Sequence, residues 1–111
     1  MNRLKIILLG LSVVFISSCR KSNLNDYPDF EGDWRGATNT SEYFITVEED
    51  GDATYEKISS NSEITHNGRL IVKEDEVKIG FKRLDINQYP TLSATSAEWF
   101  MELDGILYTR W

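Results

Sequence analysis

An all-β fold is what this sequence predicts: a small antiparallel barrel or partly open sandwich of about seven short strands. Three observations carry that expectation. Apolar and polar side chains alternate through Glu42 to Glu48, the two-residue period of a half-buried strand. Asp50-Gly51 and Asp104-Gly105 sit between strand-like runs, where a hairpin needs residues that tolerate positive φ. After residue 18 no stretch repeats its apolar residues with a helical period.

The chain starts with a different kind of segment. Arg3 and Lys5 give a basic start with no acid, and Ile6 to Ile16 is an eleven-residue apolar run broken only by Gly10 and Ser12. Ser17, Ser18 and Cys19 follow, the order of a cleaved signal peptide, too short to span a bilayer as a helix. A cysteine after Ile16-Ser17-Ser18 resembles the bacterial lipoprotein signal. That resemblance implies lipidation of the Cys19 thiol, which becomes the mature N-terminus on the membrane. The other reading is a secreted protein with one spare thiol, which would leave the only cysteine unexplained. Arg20 and Lys21 follow the cysteine, and no aspartate does. The family's sorting rules then imply the outer membrane, and the periplasmic face more than the cell surface.

Cleavage after residue 18 removes Arg3 and Lys5 and no acid, so the formal net charge moves from −6 to −8. Such a chain is a poor partner for nucleic acid or for anionic headgroups. Without disulfides the core must hold a single small domain unaided.

Arg20 to Asp29 is polar and aperiodic and reads as a flexible tether, with Leu24 and Tyr27 leaving an ordered first turn open. The domain is expected over residues 30–111, behind a signal peptide at 1–18 and a lipidated tether at 19–29. Ala53 to Ser59 returns as the partner of Glu42 to Glu48. Asn67-Gly68 marks either a hairpin turn or, preferably, a bulge or break in one bent strand. Leu70 to Val72 then pairs across Glu74-Asp75 with Val77 to Leu84. Asn87 to Ser96 is expected as the longest loop, because Pro90 cannot donate to a ladder. The last hairpin places Leu103 opposite Ile106, Met101 opposite Tyr108 and Trp99 opposite Arg110, all on one face.

Gly32-Asp33-Trp34 at the first strand and Arg110 at the last resemble the Gly-x-Trp opening and closing arginine of lipocalins. Ile79-Gly80-Phe81 to Tyr89-Pro90, then Trp99 to Gly105 and Tyr108-Thr109-Arg110, resemble a group of small lipocalin-like bacterial lipoproteins. The resemblance implies a lipocalin-like barrel in which Gly32, Trp34 and Arg110 are structural. Arg110 is expected to stack on Trp34 or to cover Trp99, a choice the sequence leaves open. Lipocalin barrels use eight long strands, and this domain has room for about seven short ones, so a filled core or an open sandwich remains possible.

Candidate chemistry is sparse. His66, the only histidine, is expected in an exposed turn, and zinc needs three or four such ligands. The acids of Glu48 to Asp52 and Glu74 to Glu76 fall in turns without EF-hand spacing. No phosphate loop or nucleophile elbow occurs. Neither an enzyme nor a cofactor is expected. Tyr43, Tyr55, Trp99, Met101 and Tyr108 lie at alternating strand positions and either fill the core or line an apolar pocket. The functional expectation is a lipid-anchored binding module for a small apolar or amphipathic molecule. The alternative is an envelope accessory domain with a filled core that contacts another protein.

Overall fold

The computed structural model describes residues 22–111. The signal segment 1–18 and Cys19 lie outside the described residues. Two single-turn 3-10 helices, Leu24–Asp26 and Pro28–Phe30, precede eight strands. These are β1 (Gly32–Ala37), β2 (Ser41–Val47), β3 (Asp52–Ser59) and β4 (Glu63–Lys73). They continue as β5 (Glu76–Ile79), β6 (Lys82–Leu92), β7 (Trp99–Leu103) and β8 (Ile106–Arg110). Each pairs antiparallel with the next, and β8 returns to β1, so the sheet closes into an eight-stranded up-and-down barrel. This is the architecture that the lipocalin resemblance implies, and the open-sandwich alternative falls away. Closure matters to so short a chain because it leaves few unpaired edges.

The eighth strand comes from a correction. Val77 to Leu84 does not run as one strand. It breaks at Gly80-Phe81 into β5 and β6, with Ile79 opposite Lys82. Gly80 has φ +61°, the positive value that the first central residue of a II′ hairpin turn requires. At the other end, Asp104 (φ 53°) and Gly105 (φ 76°) both adopt positive φ, and the β7–β8 register is the expected one.

Asn67-Gly68 is neither a hairpin nor a break. Nor is it a bulge: β4 continues through it in unbroken register, pairing with β3 up to Arg69 and with β5 from Leu70. The glycine is there because Gly80 packs on it: a Cβ at Gly68 would lie 2.5 Å from the Gly80 backbone. His66 therefore stands within a strand, half-buried, and not in an exposed turn.

The loop expected over Asn87 to Ser96 is mostly strand, and the connection shrinks to residues 93–98. β6 passes through Pro90, but its register against β7 shifts between Gln88 and Thr91. On its other side β6 pairs with β5 only as far as Asp85. Proline is thus accommodated at an irregular, one-sided position.

Residues 22–29 are not a free tether. Leu24 and Phe30 are buried in the core, and Trp34 Nε1 donates to the Phe30 carbonyl at 2.9 Å. Tyr27 stacks on Tyr89, and the Phe30 ring meets Tyr89 edge-on. The segment covers the flank that β6 leaves open beyond Asp85. It also covers one end of the barrel, here the lower end, where β1 begins and β8 finishes. Asn23 fastens it: its side chain donates to the Val72 carbonyl at 2.7 Å and accepts from the Val72 N–H at 2.8 Å. Asn23→Ala leaves both Val72 groups unpaired, so a loss of about 1–3 kcal/mol is expected, read as a lower urea midpoint. An unchanged midpoint would mean that water replaces the amide without cost.

Candidate functional site

Inward-facing residues divide the barrel into two chemically different ends. At the lower end Trp34 is 1% exposed and pairs across the sheet with Arg110. The Arg110 guanidinium lies 4.8 Å from the ring centroids of both Trp34 and Trp99, so it fills the space between two indoles. The choice the sequence left open is answered by both partners at once. Arg110 also donates to the Asp29 carbonyl, which ties the last strand to the plug. The arginine stem crosses directly over Gly32, where a Cβ would sit 3.0 Å from its Nε. Gly32 in the Gly-x-Trp opening thus leaves the path by which the arginine reaches the tryptophan. Its φ of +131° is also one that few other residues adopt.

The middle of the barrel is aliphatic: Ile45, Leu70, Ile79, Leu84, Met101 and Leu103 are each at most 1% exposed. Above them lie the tyrosines. Tyr43 and Tyr108 meet edge-on at 6.4 Å, and Gly36, opposite both of them in the sheet, makes room. A Cβ on Gly36 would sit 2.8 Å from the Leu107 carbonyl and 3.3 Å from the Tyr108 ring. Tyr55 follows on β3, opposite His66, with their rings 6.0 Å apart. Burial foremost, then Tyr55, Tyr43 and Asp104, push the Tyr108 phenol far above the ordinary tyrosine value. Tyr55 is raised for the same reasons, burial first. Both phenols keep their protons at neutral pH, as an ordinary tyrosine does. The Tyr108 hydroxyl is buried and finds no hydrogen-bond partner among the described residues.

The five residues singled out from sequence do not form one group. Tyr43, Tyr55 and Tyr108 come together at the upper end, with Met101 beneath as the cross-strand partner of Tyr108. Trp99 belongs to the lower end, half-buried against Arg110. Four of the five join the core cluster, and Trp99 packs against it. The clefts described on the surface involve other residues, such as Asn67, Ile71 and Phe81 beside the β5–β6 turn.

Sequence reasoning missed Lys57, Lys82 and the Ser41–Ser59 hydroxyl pair at the upper rim. The serines are 3.0 Å apart. The signal for Lys57 was available, since it follows Tyr55 by two residues and must share its face. Lys82 was hidden because its strand boundary was misplaced. Among the described residues no cluster of three His, Cys, Asp or Glu side chains could hold a metal ion.

Comparison of the chain with protein-family models, curated proteins and solved structures finds no match. The reading of the site therefore rests on its own geometry.

Proposed function

We propose that the chain is a lipid-anchored, lipocalin-like lipoprotein of the outer membrane whose barrel holds a small apolar or amphipathic molecule, without catalysing a reaction. One observation carries the binding reading. The barrel is plugged at its lower end, while the upper end gathers three tyrosines, and the buried hydroxyl of one of them, Tyr108, has no hydrogen-bond partner among the described residues. Buried hydroxyls are nearly always hydrogen-bonded, so an orphan at the end of a barrel marks a place where a polar group of a guest fits. The anchor reading rests on the sequence around Cys19, and the plug sits well with it. Ser22 lies beside Gly51 at the lower end, opposite the end that gathers the tyrosines.

Native mass spectrometry of Ser22–Trp111, purified gently from a bacterial periplasm, tests the binding reading. An adduct of defined mass that is lost on denaturation supports it. An apo mass together with no response to a panel of amphiphiles sinks it. For the anchor, Cys19→Ala is expected to move the protein from the membrane to the soluble periplasmic fraction, and retention in the membrane would sink that part.

The accessory-domain reading keeps one observation in its favour. Phe81 is 94% exposed at the tip of the β5–β6 turn, next to the stretch Glu63 to Gly68 of β4 that has a strand partner on one side only. An exposed aromatic beside an open edge is what a strand-adding partner would use.

A further inference from the structure

Two lysines, Lys57 and Lys82, stand at the upper end of the barrel. Lys57 Nζ stands 5.7 Å from the Tyr43 ring centroid, and Lys82 Nζ stands 5.1 Å from that of Tyr55. Lys57 pairs directly with Tyr43 across β2–β3 and shares the inward face. Both lysines are half-buried, and neither makes an ion pair with a described residue. In a chain with 18 acids against 12 bases, carboxylate partners are abundant, yet these two ammonium groups lean over tyrosine rings at the barrel rim. Long lysine stems can swing, and a cation–π contact near the surface is weak enough to exchange for a charged partner. Beneath them waits the protonated, unpaired Tyr108 hydroxyl, with Tyr55 and Tyr43 around it. The carboxylate felt by these phenols is Asp104, which is exposed and already accepts the Asp85 N–H at 2.8 Å. His66 adds a half-buried imidazole against Tyr55.

We propose that the upper end of the barrel binds an anionic amphiphile: one apolar tail carrying a carboxylate, sulfonate or phosphate head. The proposal rests on the binding reading above and narrows it to a ligand class. Lys57 and Lys82 leave the tyrosine rings and close over the head as counter-ions. The Tyr108 hydroxyl donates to a head oxygen, which satisfies the orphan. The tail lies against the half-buried Ile106 beside the β7–β8 turn, above the aliphatic middle of the barrel. Neutral apolar ligands would leave both the lysines and the hydroxyl unpaired, so the head decides selectivity.

The test is calorimetric titration of the full lipidated chain in nanodiscs of zwitterionic lipid, with empty nanodiscs as the blank. Octanoate and octan-1-ol serve as probes of matched tail and different head. Octanoate is expected to bind saturably, one per chain, at least about tenfold tighter than octanol. Lys57→Gln and Lys82→Gln should each weaken octanoate about tenfold and leave octanol unchanged. Tyr108→Phe should weaken octanoate while its melting temperature stays at or above that of the parent, because the substitution removes a hydroxyl that costs the folded state. Equal binding of both probes by the native chain, indifferent to the lysines, would overturn the anionic head and leave the binding reading standing. Binding of neither probe would overturn both. The comparison of probes on the native chain needs no variant, so a lysine substitution that failed to fold would not rescue the proposal.

Discussion

Trp34→Ala is expected to cost about 3–5 kcal/mol, a large part of the roughly 5–15 kcal/mol that holds a domain of this size folded. The loss has three sources that meet at one side chain. The indole is 1% exposed, so its removal opens a void in close-packed surroundings. Its Nε1–H holds the Phe30 carbonyl, so the plug loses an anchor inside the barrel. Arg110 loses one of the two rings between which it stacks, and its buried Nε has no hydrogen-bond partner among the described residues. Urea denaturation should show the midpoint falling with little change in slope. Trp34→Phe separates the sources, since it keeps an aromatic surface and loses the bond to Phe30. Trp99→Ala is the control: it removes the other ring from a half-buried site and should cost clearly less. Arg110→Lys should behave as a loss, because an ammonium cannot fill the flat gap between two indoles. If Trp34→Ala melted within a degree or two of the parent, the lower end would not be the keystone of the barrel.

What the sequence made legible was what its local chemistry specifies. Asp104-Gly105 demands a tight turn, and once that turn is set, the pairing of Met101 with Tyr108 follows by counting. The alternation in Glu42 to Glu48 likewise put Tyr43 and Ile45 inside before any partner was known. Long-range contacts were not legible. Pro90 forbids a ladder bond locally, but its strand is paired on one side only, and nothing near residue 90 announces that. Residues 22–29 look like a tether because they are polar, yet what orders them is the backbone of Val72, 49 positions away from Asn23. Within the candidate site the tyrosines were readable from period alone. Lys82 was not, because a lysine beside a misplaced strand end gives no sign of which face it takes. The separation of Trp99 from the tyrosines was equally hidden, since alternation fixes a face and says nothing of height along a barrel.

The clearest case of a contact that no local rule contains is the crossing of two glycines, and it supports the other large expected effect. Gly80→Ala should destabilise the barrel by about 1–3 kcal/mol from overpacking, with about 1–2 kcal/mol more from holding alanine at positive φ. The Cβ would sit 2.4 Å from the Asn67 carbonyl oxygen, against backbone that cannot turn aside as a flexible side chain would. Relief requires the β5–β6 turn to lift from β4. That lift pulls on Ile79 and Lys82, the two residues flanking the turn, and so reaches the upper end of the barrel. Gly68→Ala attacks the same crossing from the other side, at 2.5 Å from the Gly80 backbone and without the burden of positive φ. It should therefore cost less than Gly80→Ala. Once either alanine has forced the strands apart the second meets open space, so the double variant should cost clearly less than the sum. Strict additivity in denaturant melts would mean that the two glycines are needed for separate reasons and that the crossing is not what fixes the turn over the barrel. Sub-additive losses, accompanied by weaker octanoate binding in both single variants, would tie the position of Lys82 to that close backbone contact.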